Sequence, residues 1–168
     1  MTTRGDAGTT GRRGLSRHGR NLVLTTHIAV SVGLLGDSAG YLAVAIGAAG
    51  LDDPLARGER AEVLNTLSVV FGIPLSFAAL FTGLALGLGT RWGVFRYPWV
   101  VAKLALVVSV LVVGGLFIGP ASNDLRDGRD TAGTLIVAAA YDVVALTTAT
   151  ALSVFKPGRP FRRTGARR

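Results

Sequence analysis

The sequence contains no cysteine, which excludes disulfides, thiolate metal sites and thiol redox chemistry. Its single methionine is Met1, so an internal thioether copper site is excluded as well. Histidine is nearly as scarce: His18 and His27 are the only two. His27 falls inside an apolar run and His18 before it, so one chain lacks the pair of buried histidines that a bis-histidine haem requires. Acids are missing from whole stretches, including everything after Phe155. Nothing in the sequence pairs a nucleophile with a base, and the segments between apolar runs are too short to build an enzyme site.

What is present is apolar and gathered into blocks. Of the 168 residues 49% are hydrophobic, and uncharged runs cover Asn21–Gly36, Val63–Thr90, Leu104–Asn123 and Val143–Phe155. The first extends past Asp37 to Leu51, and the last begins near Thr131 and passes Asp142. A helix needs about 20 apolar residues to cross a hydrocarbon core of about 30 Å. Each block reaches that length, and too little polar sequence remains to cover four buried helices in water. The fold expected is all-α, a four-helix transmembrane up-down bundle, with helices at about 21–51, 63–89, 97–119 and 131–155. Residues 1–20 read as a basic disordered N-terminus, 21–155 as the transmembrane domain and 156–168 as a basic tail. The apolar run after the N-terminal arginines is much longer than the ~7–15 residues of a signal-peptide core, so the first helix reads as uncleaved.

Charge orients these spans, because Lys and Arg in short loops mark the cytoplasmic side. Residues 1–20 carry Arg4, Arg12, Arg13, Arg17 and Arg20 against Asp6 alone. The tail holds Lys156, Arg159, Arg162, Arg163, Arg167 and Arg168, and the loop between the second and third helices holds Arg91 and Arg96. The other two loops are acidic, with Asp52, Asp53, Glu59 and Glu62 in one and Asp124, Asp127 and Asp130 in the other. Both termini are therefore expected in the cytoplasm of a bacterial plasma-membrane protein. The net charge of +8 reads as topology and anchoring, with no nucleic-acid partner expected.

Local signals refine the helices. Asp53-Pro54 suits an N-cap followed by a first-turn proline, so a short surface helix at 54–62 precedes the second span. Pro74 removes the amide bond to the Val70 carbonyl and predicts a kink. Gly119-Pro120 reads as the end of the third helix, and Asp130 as the cap of the fourth. Trp92, Tyr97, Trp99 and Lys103 are expected as interfacial anchors around the inner turn.

Helix one carries a seam of small residues at steps of three and four: Thr26, Ala29, Gly33, Gly36, Gly40, Ala43, Gly47 and Gly50. Membrane helices approach closely through such residues, since lipid supplies no hydrophobic drive. The seam is expected to pack inside the bundle, with a homodimer seam as the alternative. His27, Asp37 and Asp142 complete the intramembrane ionisable set with Lys103. A charge at mid-bilayer costs at least about 2.5–3.5 kcal/mol, so these residues are candidates for function. Asp37 lies about 24 Å from the inner end of helix one and Asp142 about 14–18 Å from the outer end of helix four. With Tyr41 and Tyr141 nearby, His27, Asp37, Tyr41, Tyr141 and Asp142 form one candidate polar site.

The stretches HIAVSVGLLGDS (His27–Ser38) and GTRWGVFRYPWVVAKLALVVSVLVVGG (Gly89–Gly115) resemble a family of small actinobacterial integral membrane proteins known as a domain of unknown function. That family is distantly similar to four-helix segments of copper-resistance D-type membrane proteins. The resemblance implies a four-helix membrane bundle and no established activity, and the Met, Cys and second membrane His of a copper or haem site are missing here. The function expected is therefore a non-catalytic structural or regulatory membrane subunit without cofactor or metal, embedded in lipid as a homo-oligomer or beside another subunit. The alternatives are a proton- or cation-coupled carrier or channel built on Asp37, Asp142 and His27, and a haem or quinone protein using His27 across a dimer.

Overall fold

The computed structural model describes residues 16–89 and 97–155. These form helices and connecting turns, with no strand among the described residues. Four helices are long and apolar enough to cross a membrane: α1 (Arg17–Ala49), α2 (Pro54–Gly89), α3 (Pro98–Arg126) and α4 (Ala132–Phe155). Their outer surface is strongly apolar, with Val70, Phe71, Phe77, Phe81, Val137, Val144 and Val154 all exposed. An apolar exterior on this scale fits lipid and not water.

The helix ends follow capping chemistry. Ser16 accepts a bond from Gly19 N–H at 3.1 Å, so α1 starts at Arg17, before the expected residue 21, and Arg17 and Arg20 lie on the helix. The Asp53 side chain accepts from the amides of Leu55 and Ala56, with Pro54 next to it, as the sequence predicts. The short helix it opens does not stop at 62 but runs on as the start of α2. Between α3 and α4 the chain reverses through Gly128 at φ 85°, a conformation that favours glycine. Gly128 N–H reaches the Leu125 carbonyl and Arg129 N–H reaches that of Asp124, the Schellman pairing that closes a helix. Asp124 and Arg129 add an ion pair across this turn. Asp130 does not cap α4; Thr131 stands at that position, its carbonyl accepting from Leu135 N–H and its hydroxyl donating to the Ala121 carbonyl at 2.6 Å.

Proline is absorbed in the same way twice. Residues Leu67–Gly72 of α2 and Gly114–Ile118 of α3 are π-helical. The residue after each segment closes a wide turn, Ile73 N–H to Ser68 carbonyl and Gly119 N–H to Gly114 carbonyl, and a proline follows directly. Widening the turn places the shift in hydrogen-bond register where proline has no donor to offer. Pro120 therefore does not end the third helix, which continues to Arg126.

Packing divides the interior into two apolar clusters. One joins Tyr41, Ala45 and Ala48 of α1 to Ala61 and Leu64 of α2, Ile118, Ala121 and Leu125 of α3, and Ala132, Leu135, Ala138 and Ala139 of α4. The second joins Leu34, Ala79, Val110, Ala145 and Leu146. Alanines dominate the first, which lets these helices approach closely there. Leu64 is fully buried in the first cluster and Leu88 is 76% exposed. Leu64→Ala should cost about 2–4 kcal/mol of stability, and Leu88→Ala less than about 0.5 kcal/mol, measured as denaturation midpoints in one detergent.

The face that α1 buries is Leu34, Ser38, Tyr41, Ala45 and Ala48. The small-residue seam is not on it: Thr26, Ala29, Gly33, Gly36, Gly40, Ala43, Gly47 and Gly50 are all exposed. No atom lies within 4 Å of where a Cβ would stand on Gly36, Gly40 or Gly50. The expectation that this seam packs inside the bundle is corrected at Gly36, Gly40 and Gly50, whereas a Cβ on Gly33 or Gly47 would meet Leu75 or Arg60 of α2 at 3.6 and 3.8 Å. The polar face turned inward in its place, because Ser38 and Tyr41 find their neighbours among the other helices.

Candidate functional site

Between the two apolar clusters lies a layer to which each helix contributes an irregularity. On α1, Asp37 falls between Leu34 of one cluster and Tyr41 of the other. On α4, Asp142 falls between Ala139 and Ala145. On α2 and α3 the same interval contains the two π-helical segments. Asp37 lies directly against the first of these: a Cβ on Gly72 would stand 3.2 Å from Asp37 Oδ2. Glycine leaves the room that this carboxyl occupies.

Neither carboxyl makes a hydrogen bond or ion pair with a described residue, and Asp37 Oδ1 and Asp142 Oδ1 are both buried without a partner. Asp142 is only 6% exposed. An unmet buried acceptor is costly, so native structures contain few of them. The layer also holds hydroxyls. Tyr41 Oη lies 2.8 Å from Ser122 Oγ, which donates to the Ile118 carbonyl at 2.7 Å, so the tyrosine is the donor. Ser68, on the π-helical turn, is within reach of the same hydroxyl, and both Asp37 and Asp142 lie within electrostatic range of it. Ser38 and Ser76 are also buried and fall in the sequence interval between the clusters. Tyr41→Phe should cost about 1 kcal/mol, the net worth of one hydrogen bond, since Ser122 keeps its carbonyl partner; a thermal melt in detergent measures it.

Of the expected site, Tyr41 lies within electrostatic range of both Asp37 and Asp142, whereas Tyr141 is 41% exposed and donates to Ser109 Oγ of α3 at 2.6 Å. His27 belongs to a different level, about 15 Å further along α1 from Asp37. Its Nδ1 lies 2.8 Å from Thr82 Oγ1, which donates to the Ala78 carbonyl at 2.6 Å. With the hydroxyl proton so committed, the ring proton sits on Nδ1. The imidazole packs on Gly83, where a Cβ would lie 3.2 Å from His27 Cε1. His27 and Lys103 line one cavity together with Trp99. Tyr97 and Trp99 lie with ring centroids 6.2 Å apart near the start of α3. Trp92 lies outside the described residues.

Two parts of the site escaped sequence reasoning. The buried serines carry no signal of their own, and the π-helical turns announce themselves only as Gly-x-Pro steps: Gly72-Ile73-Pro74 directly, and Gly119-Pro120 in a related form. The layer offers carboxyl and hydroxyl oxygens, which bind protons and hard cations. Among the described residues no three His, Cys, Asp or Glu side chains gather around a common point. Compared with family models, curated proteins and solved structures, the chain finds no match.

Proposed function

We propose that this multi-pass membrane protein binds and passes protons or monovalent cations at the Asp37–Asp142 layer, acting as an oligomer and without catalysis of its own. One observation carries the proposal: two carboxyls lie between apolar clusters, each with a buried oxygen that no described group satisfies. A purely structural tie between α1 and α4 would join the two carboxyls to each other or to neighbouring donors, and neither has such a bond. Ionisable groups that face the interior of a membrane bundle mark ion and proton paths. A pair of carboxyls with hydroxyl neighbours suits a proton or a monovalent ion better than a divalent metal, which would draw in more carboxylate ligands.

The bundle runs up and down, a topology supported by the contacts of α1 with α2, where Gly83 meets His27, Gly72 meets Asp37 and Gly47 meets Arg60 in opposite order along the two helices. Both termini lie in the cytoplasm, on the strength of the basic ends and the acidic loops.

The test is flux. Purified protein in liposomes containing a pH-sensitive dye should relax an imposed proton or sodium gradient faster than empty liposomes, and Asp37→Asn should slow that relaxation at least about tenfold. Protein-containing liposomes that match empty ones would overturn the proposal. The exposed seam favours a second role beside it, as a subunit that presents α1 to a second copy or a partner helix.

A further inference from the structure

The half of the bundle nearer the chain termini encloses a cavity of about 620 Å³, walled by all four helices. Leu34, Ala79 and Leu146, members of the second apolar cluster, also line it, and neither Asp37 nor Asp142 is among its lining residues. The walls are mostly aliphatic, with Leu24, Ile28, Leu84, Leu104 and Val107 among them. Among the described residues its charged lining groups are Arg20 and Lys103, joined by His27, and no acid lines it. Lys103 is partly buried within the α3 span and has no hydrogen bond or ion pair among the described residues. A lysine inside the hydrocarbon region without a counter-charge is costly, and a ligand anion relieves that cost.

Shape and charge together narrow the occupant. The volume lies in the range of ligand pockets, about 300–1,000 Å³. The lining asks for a long apolar body, and its two cations ask for an anionic head. A vestibule serving the acid layer would not place Arg20 and Lys103 in the path of cations. A neutral quinone would leave Lys103 uncompensated. We infer that the cavity holds an acidic phospholipid from the surrounding bilayer, with an acyl chain against the aliphatic walls and its phosphate at Lys103 and Arg20. The inference rests on the membrane-spanning architecture and is independent of the acid pair.

Native mass spectrometry of the full chain tests it, with phosphatidylglycerol and phosphatidylcholine of identical acyl chains as probes. The wild type should retain phosphatidylglycerol in preference to phosphatidylcholine. Lys103→Gln should lower that preference at least about fivefold, the effect of one cation at an anionic lipid. Leu84→Trp, which fills the cavity and keeps every charge, should abolish retention while far-ultraviolet circular dichroism stays unchanged. Excess inorganic phosphate should leave lipid retention intact. Equal retention of the two lipids would overturn the inference. So would a preference that survives both substitutions, which would assign it to the basic ends of the chain. Displacement by phosphate alone would reduce the site to a simple anion site and equally refute the lipid, and a Soret band on haem addition that Lys103→Gln leaves intact would assign the cavity to haem.

Discussion

Asp142→Ala should make the protein more stable and stop its ion flux. The carboxyl is almost wholly buried, has an oxygen without partner, and shares its face with Ala138, Ala145 and Ala149. Removing it relieves the cost of an unsatisfied buried acceptor, about 1–3 kcal/mol, and an alanine continues the close packing already there. The small void left behind reduces the gain but does not reverse it. A structural role predicts the opposite sign, because a carboxyl that tied helices together would be missed. Denaturant or thermal midpoints of wild type and Asp142→Ala in the same lipid give the sign directly. Gain in stability with loss of flux is the trade expected of a group kept for its chemistry.

The second large effect concerns assembly. Gly36→Ile with Gly40→Ile should convert an oligomer into a monomer while leaving the bundle folded. A Cβ on either glycine meets no described atom within 4 Å, so the added side chains start in open space on the outside of the bundle. At a helix–helix seam the same side chains would push two backbones apart by several ångströms and abolish contacts that only small residues allow. Analytical ultracentrifugation or single-molecule photobleaching in native-like lipid should show a fall of about tenfold or more in association. Equivalent substitution of Gly33 is a poorer test, because a Cβ there already meets Leu75 at 3.6 Å within the chain.

The sequence revealed the four apolar spans and the Asp53 cap, because each is a local pattern. It misplaced the seam for a physical reason. In water the apolar side of a helix marks the interior, but in lipid both the interior and the outer surface are apolar, so periodicity separates faces without saying which one meets a neighbour. The buried face of α1 proved to be the one with Ser38 and Tyr41. Gly119-Pro120 looked like a stop because proline usually ends a helix, and the wide turn that carries α3 past it leaves no mark in composition. His27 and Asp37 looked like one site because they share a helix, yet the depth between them places His27 in the cavity and Asp37 in the acid layer. The cavity itself was illegible, since its walls come from four helices distant in sequence.

Infrared difference spectroscopy of the protein in lipid, between acid and alkaline buffer, tests the central claim most directly. The account predicts a carboxyl carbonyl band that appears and disappears with bulk pH, part of it lost in Asp37→Asn, part in Asp142→Asn, and all of it in the double variant. A spectrum in which neither substitution removes any band would show that these carboxyls do not exchange protons with either side, and would contradict it.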